Sequence, residues 1–147
     1  MTTAKGAPER TGGGLKAALP VIALIVGVWA LLAPYVGLGP DLNAAGKNEV
    51  ADHVVPGLLM IGMAVAMLVR SRKPAGGGES LFPLVAGGVI ALAGLWMTAT
   101  HLPLVRDARN GLTTNKIMVW HTLPGLVVLV VGILWVVTYW SSAAPED

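Results

Sequence analysis

The sequence predicts an all-α, polytopic membrane protein whose four transmembrane helices form two tandem two-helix repeats. Three observations predict this fold: an apolar composition, four long stretches without charged residues, and a residue pattern that recurs after 67 or 68 positions. Of the 147 residues, 54% are apolar and only 12% are charged, whereas about 25% are charged in a typical soluble domain. This composition excludes a water-soluble monomer.

Composition also excludes several classes of function. The chain has no cysteine, so disulfides, iron–sulfur clusters and cysteine-ligated zinc are excluded. Its formal net charge is only +2, and the basic residues are scattered rather than clustered. We therefore expect no nucleic-acid partner, and the lipid bilayer is the first partner that the sequence indicates.

The four predicted spans follow from the thickness of a bilayer. A hydrocarbon layer of about 30 Å needs about 20 apolar helical residues to cross it. Four charge-free stretches approach or exceed this length: residues 17–38, 53–69, 81–101 and 117–140. The first stretch is longer than the apolar region of a signal peptide, so we interpret it as a retained span.

The segments between and around the spans give the domain organisation. The ends of the chain are rich in small and polar residues without a periodic pattern, which is typical of disordered tails, and Gly76–Gly78 indicate a flexible linker. The predicted organisation is a disordered tail over 1–15, a first repeat over 16–73, a linker over 74–80, a second repeat over 81–140 and a disordered tail over 141–147.

The basic residues predict how the chain is oriented. Four spans place both termini on one side of the membrane. That side carries six Lys and Arg residues, including the short loop Arg70 to Lys73, whereas the opposite loops carry four. By the positive-inside rule we expect both termini to be cytoplasmic and the chain to lie in the bacterial inner membrane.

An internal duplication relates the two halves. Gly27 and Trp29 in the first span recur as Gly94 and Trp96 in the third, 67 residues later. The segment HVVPGL at 53–58 recurs as HTLPGL at 121–126, 68 residues later, so Pro56 and Gly57 correspond to Pro124 and Gly125. Both copies would then enter the membrane from the same side as parallel repeats.

These residues also carry a resemblance to a known family. A small residue and tryptophan in the first helix, a proline near its outer end at Pro34, and a polar residue with a glycine opening the second helix resemble the SPW-repeat family of small bacterial membrane proteins. Ala33-Pro34-Tyr35 stands where the family has Ser-Pro-Trp, and Thr100-His101-Leu102 keeps none of the three residues. The resemblance implies a two-span repeat and no particular catalytic activity.

Small residues on the first and third spans predict how the helices pack. Close packing of such residues is a common way for membrane helices to associate. They recur at helical spacing at Ala23, Gly27, Ala30 and Pro34, and again at Gly87, Ala91, Gly94 and Thr98. We expect these faces to contact neighbouring helices or each other.

The prolines leave the start of two helices open. Pro34 would kink or end the first helix near its outer end. Pro56 and Pro124 would occupy the first helical turn if their helices began at Asp52 and near His121. They would instead kink helices that began at Asn48 and Asn115. The remaining aromatic residues near the span ends, Trp135 among them, are interpreted as anchors at the membrane interface.

The three histidines are the candidates for a cofactor or metal site. His53, His101 and His121 all lie at the outer ends of predicted spans, and Asp52 precedes the first of them. Imidazoles ligate zinc, copper and haem iron, so these histidines are candidate cofactor ligands, and Asp52, His53 and His121 candidate metal ligands. The alternative is that the histidines are hydrated residues at the membrane interface, with His53 and His121 repeated because the duplication copied them, and on this interpretation we expect no cofactor.

Other chemistry has little support in the sequence. No charged residue lies within the four apolar stretches, which disfavours ion-coupled transport. Every serine lies on the side opposite the histidines, which disfavours Ser-His-Asp catalysis. We therefore predict a non-catalytic membrane protein that packs in a homo-oligomer or as an accessory subunit of a larger complex. The alternative is a haem- or metal-binding redox subunit that uses the outer histidines.

Overall fold

The computed structural model describes residues 12–36, 50–71 and 81–143, and it confirms the predicted all-α fold. Four α-helices form a bundle: α1 (Gly12–Val36), α2 (Val55–Ser71), α3 (Phe82–Arg109) and α4 (Asn115–Ala143). A π-helical turn, Val50–Val54, leads directly into α2. Helices α1, α3 and α4, and α2 together with the π-helical turn before it, each provide a segment long and apolar enough to cross a membrane, as in a multi-pass membrane protein.

The helices pack in a ring in chain order. Each contacts its two neighbours, so that α1 packs on α2 and α4, and α3 on α2 and α4. Fully buried residues such as Leu19, Met60 and Ile90 lie between them, while large apolar side chains remain exposed around the outside. In a membrane the lipid chains would cover that outer surface.

Helix α3 is longer than predicted. The sequence indicated an end near His101, but the helix continues through Pro103 to Arg109. It ends where Gly111 has a positive φ of 70° and the amide of Leu112 donates to the Asp107 carbonyl at 2.8 Å, a common helix termination. The apolar stretch marks where hydrocarbon ends, and a helix extends beyond it until a cap stops it.

Two predicted tail boundaries are also wrong by a few residues. The first tail was placed over 1–15, but α1 begins at Gly12, and the last tail was placed over 141–147, but α4 continues to Ala143. A helix that is already nucleated extends into polar residues at little cost. The other predicted tail residues, 1–11 and 144–147, and the predicted linker over 74–80 lie outside the residues that the structure describes.

The structure resolves the two prolines differently. Helix α4 begins at Asn115, so Pro124 lies well inside it. Pro56 is the second residue of α2 and follows the π-helical turn. A proline ring displaces the carbonyl four residues before it, which here belongs to Asp52, and the wider π turn accommodates this displacement. Helix α1 runs through Pro34 to Val36.

Small residues form the contact within each hairpin. A Cβ added at Gly27 would lie 3.0 Å from Ile61 Cγ1 on α2. On α3, a Cβ at Gly94 would collide with the main chain of Leu129 on α4, and one at Gly132 of α4 would collide with that of Ala91. The small-residue faces therefore meet their own hairpin partners rather than each other.

Corresponding contacts recur in the two hairpins. Gly57 approaches Leu31, and Gly125 approaches Thr98. Gly125 lies 68 residues after Gly57, and Thr98 lies 67 residues after Leu31. These are the two offsets of the recurring sequence pattern. The contact of Gly27 with Ile61 and that of Gly94 with Leu129 are related in the same way. This correspondence is what the predicted duplication requires.

Trp135 is not an interfacial anchor. Its side chain is fully buried, whereas Trp140 is 68% exposed, as an anchor should be. Its ring lies against Gly87 of α3 and stacks on Tyr139 at 6.3 Å. The absence of a side chain at Gly87 leaves the space that this indole fills, so packing between helices decides its position.

Candidate metal centre

Three helical segments bring the histidines together at one end of the bundle. His53 lies in the π-helical turn before α2, His101 lies eight residues before the end of α3, and His121 lies six residues after the start of α4. At 1.5 Å per residue, the two latter histidines are about 9–12 Å from the adjacent helix ends. The site therefore lies within the bundle.

The three imidazoles form a compact triangle. Ring centroids are 4.8 Å apart for His53 and His101, 5.7 Å for His53 and His121, and 5.6 Å for His101 and His121. One nitrogen from each ring can be chosen so that the three nitrogens lie within 4.8 Å of one another. The shortest separation, 3.2 Å, joins Nε2 of His53 to Nε2 of His101.

All three histidines are buried. The exposed fractions are 0% for His53, 5% for His101 and 9% for His121. The prediction of hydrated, separate interfacial residues is therefore wrong. His101 lies about two turns before the end of α3, and His53 lies in the π-helical turn that leads into α2. Polar side chains buried within a membrane need partners there and commonly mark functional sites.

A hydrogen bond fixes which nitrogen of His101 carries the proton. Nδ1 of His101 lies 2.6 Å from the carbonyl oxygen of Met97. Because a carbonyl oxygen only accepts, Nδ1 must be the donor, and a neutral His101 then has a free lone pair on Nε2. Histidines that bind metals commonly donate their other ring N–H to a carbonyl in this way.

His53 is left with an unsatisfied nitrogen. Facing the Nε2 lone pair of His101, a neutral His53 in the metal-free protein donates its own Nε2–H. Its Nδ1 is then a buried acceptor, and it has no hydrogen bond of standard geometry among the described residues. The nearby main-chain carbonyl of Ala30 on α1 is itself only an acceptor. An orphaned polar atom of this kind costs about 1–3 kcal/mol.

A bound cation would remove this conflict. Both Nε2 lone pairs could then point at the ion, and Nδ1 of His53 would carry the proton beside the Ala30 carbonyl. Zinc–nitrogen bonds of about 2.0–2.1 Å at a tetrahedral angle place two ligand nitrogens about 3.3 Å apart. The observed 3.2 Å matches this value, and His121 needs a shift of about 1–1.5 Å to complete the set.

Haem fits the site less well than a bare ion. Two axial histidines of a haem lie on opposite faces of a wide, flat macrocycle. Here the nearest ring nitrogens of His53 and His101 are at hydrogen-bond distance, and the third imidazole stacks against His101. A macrocycle could enter only if the helices moved apart, so the donor set indicates a metal ion.

Asp52 does not belong to the cluster, although the sequence indicated it as a candidate ligand. Its Oδ1 accepts a hydrogen bond of 3.2 Å from the indole Nε1–H of Trp96 on α3. No local signal could have paired two residues that are 44 positions apart.

The repeated glycines, prolines and tryptophans form the frame around the site. Pro56, Gly57, Pro124 and Gly125 are buried, each a few residues after His53 or His121. Trp29 is half-buried on α1, one residue before the buried Ala30, whose carbonyl lies near His53. These residues determine how closely α2 and α4 approach their partners, and hence where the two repeated histidines lie.

Comparisons of the chain with protein-family models, with curated proteins and with solved structures found no match. The SPW-repeat resemblance therefore stays a prediction. The interpretation of the site depends on its own geometry.

Proposed function

We propose that this chain is an integral membrane protein that binds one transition-metal ion, zinc or copper, between His53, His101 and His121. The observation that carries the proposal is the convergence of all three histidines of the chain into one buried triangle. Imidazole is a favourable ligand for both metals. Three protein ligands leave one position of a tetrahedral ion for water or another small ligand, as in zinc sites that carry out chemistry.

The proposal includes a location for the metal in the cell. The positive-inside rule places both termini in the cytoplasm, and the histidine end of the bundle then lies at the outer face of the bacterial inner membrane. Zinc there would serve a structural or hydrolytic role, whereas copper would add electron transfer. The non-catalytic packing role, as a homo-oligomer or an accessory subunit, is the function left if the protein binds no metal.

Metal analysis of the purified protein tests the proposal. The full chain, with an affinity tag that lacks histidine, is purified in detergent, stripped with chelator and titrated with Zn²⁺, Cu⁺ or Co²⁺. We expect one equivalent to bind, and we expect bound Co²⁺ to show the intense visible bands of tetrahedral coordination. Because the chain has three histidines and no cysteine, such bands report on this cluster.

Two variants give the matched comparison. His121→Gln removes one ligand while keeping a polar side chain of similar size, and it should abolish stoichiometric binding. Asp107→Asn changes an acidic residue near the end of α3, outside the cluster, and should bind as the wild type does. Equal binding by the wild type and His121→Gln, or no binding by the wild type, would overturn the proposal.

A further inference from the structure

We infer that Trp96 and Asp52 form a latch that positions His53 for metal binding. The inference rests on the proposed function. His53 lies in the π-helical turn Val50–Val54, whereas the other two ligands lie on long α-helices. A π turn is an uncommon conformation that is frequently found at functional sites, and here α3 contacts the turn at two points.

Helix α3 holds this turn at two points. Trp96 Nε1–H donates to Asp52 Oδ1 at 3.2 Å, and five residues later Nε2 of His101 lies 3.2 Å from Nε2 of His53. Asp52 and His53 are consecutive, so the first contact limits the rotation of the turn that carries the second. The latch therefore determines whether the His53 imidazole faces the other ligands.

The surroundings make the latch strong. The Trp96 ring is 57% exposed and lines the end of an apolar groove of about 440 Å³ between α2 and α3, which also includes Val55 and Leu59. On this side the bilayer supplies no other partner for an indole N–H, and a carboxylate there also needs a donor. Each of the two polar groups is therefore the other's partner, in a medium that favours their hydrogen bond.

The sequence of the other half shows what the latch adds. By the offsets of the repeat, Trp29 corresponds to Trp96, but Trp120 stands at the position that corresponds to Asp52. His121 correspondingly lies in a continuous α-helix that needs no such contact. The carboxylate occurs only in the half where the ligand lies in a π turn.

Variants of the two residues, compared in the full-length protein, test the inference. Zinc affinity is measured by competition with a chromophoric chelator, and amide hydrogen exchange over residues 50–54 is measured in the metal-free protein. Trp96→Phe keeps the ring and removes the donor, and Asp52→Ala removes the acceptor. We expect each to weaken zinc binding about 10-fold or more, as loss of a group that orients a ligand does, and to speed exchange in the turn.

Asp52→Asn separates the hydrogen bond from a general structural effect, because its amide oxygen still accepts from the indole. It should keep zinc affinity within about 3-fold of the wild type and leave the exchange slow. Trp140→Phe, at an exposed tryptophan on α4, is the control and should change neither measurement.

The outcomes distinguish the latch from the metal site. If the wild type binds zinc and Trp96→Phe binds it equally well, the latch is wrong and the proposed function stands. If the wild type binds no zinc, the proposed function fails, and unchanged exchange in Trp96→Phe then overturns the latch as well. Faster exchange in Trp96→Phe, confined to residues 50–54, would support the latch.

Discussion

At the scale of single residues, buried polar atoms without a partner occur both inside and outside the candidate metal centre. Nδ1 of His53, Oγ1 of Thr122 and Nε1 of Trp135 are buried without a hydrogen-bond partner among the described residues. The first belongs to the histidine triangle, where a metal ion would change the protonation of the ring and relieve it. The other two lie outside the set of ligands, so the metal proposal does not require them.

Thr122 provides a prediction at this scale. Thr122→Val replaces the unpartnered hydroxyl with a methyl group of similar size, so it should stabilise the protein by about 1 kcal/mol. Unfolding in detergent, followed by circular dichroism, measures the change. Zinc binding should be unaffected, because the neighbouring His121 is retained. A less stable Thr122→Val protein would show that the hydroxyl has a partner in solution.

At the scale of helices, the hairpin formed by α3 and α4 depends on positions without a side chain. Gly94 and Gly132 lie where the two main chains are closest, whereas a Cβ at Gly88 of α3 would meet nothing within 4 Å. The same residue type therefore has opposite effects on one helix. A glycine at a contact between helices allows close packing, whereas a glycine away from such a contact only lowers helix propensity.

Alanine substitutions on α3 test this contrast. Gly94→Ala should destabilise the protein by about 1–3 kcal/mol, because the added methyl group forces the helices apart. Gly88→Ala should leave stability unchanged or raise it by up to about 1 kcal/mol, because alanine is the better helix former. Thermal unfolding of both variants in the same detergent gives the comparison. Equal effects would place the close contact elsewhere.

At the scale of the whole molecule, the histidine triangle joins the two hairpins. His53 belongs to the first hairpin, and His101 and His121 belong to the second. A metal bound by all three would therefore hold the two hairpins together at the histidine end of the bundle. At the other end, Lys16 lies over the Tyr139 ring at 5.5 Å and Arg70 over the Phe82 ring at 5.6 Å, which also joins the two hairpins.

Metal binding should consequently raise global stability. A ligand that binds only the folded protein at 100 times its dissociation constant contributes about 2.7 kcal/mol. We expect zinc to raise the unfolding temperature of the wild type and to have no effect on His121→Gln. The same shift in both proteins would indicate that zinc binds outside the triangle.

Orientation is a second prediction for the whole molecule. Because the chain has no cysteine, single cysteines give an unambiguous signal. In intact cells, a membrane-impermeant maleimide should label Leu112→Cys, in the exposed turn between α3 and α4, and should not label Ala75→Cys. The reverse pattern would place the histidine end of the bundle in the cytoplasm.

The sequence by itself determined the four spans and the small-residue faces of α1 and α3, because hydropathy and residue spacing along one helix are local properties. It also determined that the three histidines lie at one end of the bundle. Only the tertiary structure decided that they converge, since His53 and His101 are 48 residues apart and belong to different hairpins. Their burial follows from the packing of the helices against one another, which no pattern along one helix contains.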